Sequence, residues 1–168
     1  MSNVTKTEGG APDLDVESDW NRLFVGGEWL GPGDRETITV EDPSTREPWG
    51  AVPAGTVDDV DAAYEAAVNA QSTWADRDPS ERAALVDRVH DLMEDHEDAI
   101  AELLQVESGS AQLKSTVEFQ TAVADVAEAT TMPSRAGGDV RDSTIAGKEN
   151  LVKREPAGVV AVIPPWNF

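Results

Sequence analysis

The chain has 168 residues, 33 of them acidic and 13 basic, for a formal net charge of −20 at pH 7, and it contains no cysteine. Repulsion at this charge excludes nucleic acid and an anionic membrane surface as partners. The lack of cysteine excludes a disulfide framework, a thiolate metal site and a cysteine nucleophile within these residues.

Residues 1–20 are polar and acidic with no apolar stretch, so they form neither a secretory signal nor a membrane span and are expected to be a disordered tail. Short strands and turns follow: Leu23 to Val25 and Glu28 to Leu30 around Gly26-Gly27, then Thr37 to Glu41 and Trp49 to Val52, punctuated by Gly31-Pro32-Gly33 and Asp42-Pro43-Ser44. The period then becomes helical. Thr56-Val57-Asp58-Asp59 resembles a capping box with Asp in the place of Glu, ahead of an apolar face of Val60, Ala63, Ala67, Ala70 and Trp74. Asp78-Pro79-Ser80-Glu81 is the stronger helix start, with a side-chain acceptor at the N-cap, Pro at the first position and Glu at the third.

Leu85, Val89, Leu92 and Met93 predict the buried stripe of that helix, and Ile100, Leu103 and Leu104 continue a stripe toward a stop at Gly109. A fourth helix is expected from about Ser115 to Thr131, halted by Met132-Pro133. Gly137-Gly138 should loosen the chain before a weakly alternating stretch, Ser143 to Arg154. Gly158 to Ile163 is an unbroken, β-branched apolar run, the composition of a strand buried on both faces of a parallel sheet. Pro164 and Pro165 supply no ladder N–H and force a turn at its carboxyl end, the edge where open α/β sheets place ligands.

The acid is spread over the chain, at Asp58, Asp59, Asp61, Glu65, Asp76, Asp78, Glu94, Asp95, Glu97 and Asp98. Such a solvated shell suits a saline cytoplasm, where the Debye length falls to roughly 3 Å at 1 M salt. His90 and His96 are six residues apart, on different sides of a helix, so no metal site is expected, and the many close carboxylates of the chain, which nothing in the pattern buries, all read as surface rather than as acid/base pairs. Taken alone, Asn167 could be a loop residue that caps a following helix, and Gly109-Ser110 could be no more than a helix stop with Ser110 facing solvent.

Glu155-Pro156-Ala157-Gly158-Val159-Val160 followed by Pro165-Trp166-Asn167-Phe168 resembles the aldehyde dehydrogenase superfamily. Similarity extends to Leu23-Phe24-Val25-Gly26-Gly27-Glu28-Trp29, to Asp42-Pro43-Ser44-Thr45-Arg46-Glu47, to Glu81-Arg82-Ala83 and to Glu107-Ser108-Gly109, covering roughly Asn21 to Phe168. The resemblance implies an α/β chain, the N-terminal part of an aldehyde dehydrogenase-like fold. In it, short β-strands and a helical layer lead into the first strand of an incomplete Rossmann-like parallel sheet. The expected division is a tail over 1–20, the strands and helices of the cofactor-binding domain over 21–138, an oligomerisation-type strand segment over 139–156, and the first strand and turn of the dinucleotide-binding sheet over 157–168.

The activity implied is NAD- or NADP-dependent oxidation of an aldehyde to a carboxylic acid, by a cytoplasmic homo-oligomer, dimer or tetramer. By resemblance, a thiolate attacks the aldehyde, hydride passes to nicotinamide, and water activated by a glutamate hydrolyses the thioester. Asn167 is the implied catalytic residue, its side-chain N–H donating to the oxyanion. Ile163, Pro164, Pro165 and Trp166 would line the nicotinamide dinucleotide site through backbone and ring contacts, a core role being the competing reading for Trp166. Pro164 stands where many relatives carry Ser, Thr or Ile, and the chain has no Gly-x-Gly-x-x-Gly. With no cysteine and no glutamate matching the family's general base, the chain by itself is expected to be a truncated, inactive portion.

Ser110 replaces a frequent Lys. Together with Lys114, Gly147-Lys148-Glu149-Asn150 and Arg154-Glu155-Pro156, it is more similar to the branch acting on aromatic aldehydes such as benzaldehyde or vanillin. The alternative is a non-enzymatic acidic module that pairs with an intact subunit. The apolar run Val159 to Ile163 weighs against it, being an aggregation hazard without neighbours.

Overall fold

The computed structural model describes residues 21–164, so the tail over 1–20 and Pro165, Trp166, Asn167 and Phe168 lie outside the described residues. Strands β1 (Leu23–Val25) and β2 (Glu28–Leu30) form a two-residue hairpin in which Phe24 faces Trp29. Gly26 and Gly27 both take positive φ, 62° and 89°, as the type I′ turn that matches strand twist requires. The Phe24 and Trp29 rings lie 4.9 Å apart and tilted, a favourable cross-strand aromatic pair.

Strands β3 (Thr37–Glu41) and β4 (Pro48–Pro53) make a second antiparallel pair, with a register shift at Val40/Glu41. Its turn is closed by the Asp42 carboxylate, which accepts the Ser44 N–H at 2.7 Å, and by Arg46 N donating to Asp42 O at 2.8 Å. Arg46 has φ 65°, a left-handed conformation that costs a non-glycine residue about 1–2 kcal/mol.

Helix α1 (Val57–Ala75) starts as the sequence predicts: the Thr56 hydroxyl accepts Asp59 N–H, and the Asp59 carboxylate accepts Thr56 N–H. Helix α2 (Pro79–Asp95) also starts where expected, but the Asp78 side chain makes no capping bond. The Asp78 carbonyl takes the Glu81 and Arg82 N–H groups instead. Arg82 then ties the corner from the other side, donating to Ala75 O at 3.0 Å and Arg77 O at 2.9 Å, where a cation complements the C-terminal end of α1.

The buried stripe expected on α2 is corrected. Of its four residues Met93 is partly covered, while Leu85, Val89 and Leu92 stay between 42 and 50% exposed. The partly covered face is Ala83, Val86, His90 and Met93, rotated by about one residue, as α2 packs on α4 and α5. The helix carries apolar residues on two adjacent faces, and the described elements cover only one of them.

Helix α3 (Glu97–Ser108) is separated from α2 by a break at His96 and ends at Gly109, whose φ of 66° and N–H bond to Gln105 O form the left-handed stop. Helix α4 (Gln112–Ala129) begins three residues before the expected Ser115. Ser115 is fully buried, bonded to Ala111 O, and Phe119, one turn on, is 4% exposed. With Pro53, at the end of β4, these are the only buried residues among those described, and Ser115 and Phe119 mark the core where α4 meets α2 and α3. Met132-Pro133 opens the one-turn helix α5 (Met132–Arg135) where a stop was expected, since proline's missing N–H fits a first turn.

Strands β5 (Asp139–Asp142) and β6 (Glu149–Val152) pair as a hairpin, exposed at every position. Gly138 does not loosen the chain: an added Cβ would clash with the Val152 carbonyl oxygen, so the backbones meet there. The strand expected over Gly158–Ile163 finds no partner among the described residues. This run carries no ladder, and Ile163 is 90% exposed. All pairing among the described residues is antiparallel, within three two-stranded sheets, and β-branched composition makes no strand without a neighbour to hydrogen-bond.

Candidate functional site

Ile163 and Pro164 lie at the end of the described residues with their side chains exposed. Pro165, Trp166 and Asn167 fall outside the described residues, so no geometry joins them to the others. What the described residues contribute is the approach to that segment and the packing of the motifs before it.

Two of those motifs meet. A Cβ added at Gly109 would lie 3.2 Å from Pro43 Cβ, so the Asp42-Pro43 turn seats directly on the α3–α4 corner. A side-chain relay crosses the same corner. Ser108 donates its one hydroxyl proton to Leu104 O, so in the 2.6 Å contact between the two serines Ser110 must be the donor. Lys114 Nζ in turn donates to Ser110 Oγ at 3.1 Å and to Glu118 Oε2 at 2.7 Å. Ser110 is therefore a half-buried link in a directed chain, not the solvent-facing residue that a bare helix stop would give. With its proton committed to Ser108 and a charge-paired lysine beside it, it braces the corner and is poorly placed as a nucleophile.

The reading of every carboxylate as surface fails at Asp59, whose side chain is only 12% exposed. Arg35 Nε and Nη2 grip it in a fork at 2.8 and 2.6 Å, and the Thr56 N–H and hydroxyl each add a bond at 2.8 Å. The Arg35 hydrogen bonds, then those from Thr56, hold this carboxyl well below the usual range, and the same pairing raises Arg35. Asp42 is lowered more modestly, chiefly by the Ser44 N–H. Arg35 also donates to Gly31 O at 3.1 Å, so one guanidinium fastens the β2–β3 loop to the start of α1. A carboxylate satisfied this fully anchors structure and has no basicity to offer as a catalytic base.

His90 Nδ1 lies 3.8 Å from Asp91 Oδ1 and 3.7 Å from Glu94 Oε2, and both carboxylates are exposed. No fourth ligand joins them among the described residues, and the spacing is that of an ion-pair network along one helix. His96 turns elsewhere, its Nδ1 2.8 Å from Leu92 O. An open groove of 530 Å³ between the first hairpin and α1 is walled by Phe24, Val25, Gly26, Ala63, Ala66 and Ala67, and its lining carries no ionisable side chain. None of these places holds a nucleophile with its base.

The sequence reading missed Arg35 and the Ser108–Ser110–Lys114 relay. Arg35 is 24 residues from Asp59 and left no local signal. The Lys114–Glu118 spacing of four was visible and marks a helical ion pair.

Residues 29–168 match the Aldehyde dehydrogenase family. Benzaldehyde dehydrogenase YfmT of Bacillus subtilis is 36% identical over 148 residues, covering 88% of this chain and 30% of that protein. Vanillin dehydrogenase of Corynebacterium glutamicum is 38% identical over 151 residues, covering 89% of this chain and 31% of its own length. Among solved structures, an NAD-dependent benzaldehyde dehydrogenase from Corynebacterium glutamicum superposes with a TM-score of 0.73 at 34% identity, over 79% of this chain and 29% of that one. An NADP-dependent enzyme of E. coli gives 0.75 at 27% identity, over 79% and 27%. The chain thus spans about 30% of the length of the curated relatives it matches. Its short strands and helical layer are the N-terminal part of their fold, and the chain belongs to the aldehyde dehydrogenase family.

Proposed function

We propose that this chain is the N-terminal portion of an NAD(P)-dependent aldehyde dehydrogenase acting on aromatic aldehydes, and that these 168 residues alone are inactive. The observation that carries this reading is the family match running through Pro165-Trp166-Asn167-Phe168 in a chain with no cysteine. The benzaldehyde and vanillin dehydrogenases among the relatives support the aromatic substrate class. Asn167 donates its side-chain N–H to the oxyanion, a contact worth about 3 kcal/mol in comparable sites.

The cofactor, when bound, accepts the hydride. Toward it the described residues fit one apolar wall: Val162 and Ile163 are exposed, and Pro164 has no N–H to offer. By the family resemblance, Pro165 and Trp166, which lie outside the described residues, would line the same site. The phosphate cradle has no counterpart in the sequence, which lacks Gly-x-Gly-x-x-Gly. The β5–β6 hairpin, open at every position with free ladder edges, supports a homo-oligomer built through residues 139–156. A saline cytoplasm fits the net charge of −20, and no helix among the described residues is long and apolar enough to cross a membrane. A free-standing acidic module is the weaker reading, because Leu85, Val89, Val160 and Val162 would remain as exposed apolar surface.

The test is to supply the purified 168-residue chain with benzaldehyde and either NAD or NADP and follow nicotinamide reduction. The expected outcome is none. Turnover above a no-protein blank would overturn the claim that the reactive half of the site lies outside these residues.

A further inference from the structure

We draw no further inference here: the strongest candidate, the apolar face that Leu85, Val89 and Leu92 form along α2, stays exposed beside the packed side of that helix, and nothing in the structure shows what covers it.

Discussion

Replacing Gly109 by Ala tests the corner on which the Asp42-Pro43 turn sits. Two costs add. Gly109 has φ 66°, and a Cβ in the left-handed region costs about 1–2 kcal/mol. That Cβ would also stand 3.2 Å from Pro43 Cβ, closer than ordinary van der Waals contact, so either the turn or the corner must shift by a few tenths of an ångström. A shift there strains the Ser108–Ser110–Lys114 relay, and the combined loss should reach about 2–3 kcal/mol, as overpacking typically adds 1 kcal/mol or more. Gly147→Ala is the control: its φ is 76°, but nothing lies within 4 Å of the added Cβ, so it carries the left-handed cost alone. Urea unfolding followed by far-UV circular dichroism, in multimolar salt, reads both. With a slope of about 2 kcal/mol/M, Gly109→Ala should lower the midpoint by about 1 M and Gly147→Ala by roughly half that. Equal midpoints for the two variants would show that the docking of Pro43 on the corner contributes nothing, and an unchanged midpoint for Gly109→Ala would refute the reasoning altogether.

Asp59 predicts an acid limb. Its folded pKa is depressed, chiefly by Arg35, so between the folded value and the ordinary carboxylate value near 4 the unfolded chain binds more protons. The stability it contributes is therefore complete above about pH 4 and lost as pH falls below it. Asp59→Asn should flatten the melting temperature across that acid range relative to wild type, and parallel curves would show that the Arg35 clasp does not govern it. The anionic shell predicts salt dependence: melting temperature should climb from low to multimolar KCl as like charges such as Asp87, Asp91 and Asp95 on α2 are screened. A melting temperature indifferent to salt would remove the saline reading.

Legibility followed the range of the interaction. The Gly26-Gly27 hairpin, the Thr56 capping box and the Gly109 stop depend on neighbours within a few residues, and their bounds could be read from those residues alone. Asp78 shows the limit even at short range, because its backbone satisfied the helix start and left its side chain idle. The choice of face on α2 is a tertiary decision: its pattern offers two adjacent apolar stripes, and contact with α4 and α5 selected Ala83, Val86 and Met93 over Leu85, Val89 and Leu92. Val159 to Ile163 has the composition of a strand, but a ladder needs a partner that composition cannot supply. For the site, family resemblance carried what residue chemistry could not. An asparagine after two prolines and a tryptophan has no chemical signature of its own, while Arg35, paired across 24 residues, could be found only in three dimensions.

The most direct test of the central claim joins residues 21–168 to the remaining part of the Corynebacterium glutamicum benzaldehyde dehydrogenase and compares Asn167 with Asn167→Ala in that chimera. If Asn167 is the oxyanion donor, the parent chimera oxidises benzaldehyde and the variant loses about 10²–10³-fold in kcat, with KM changed far less. An Asn167→Ala chimera turning over as fast as its parent would contradict the account.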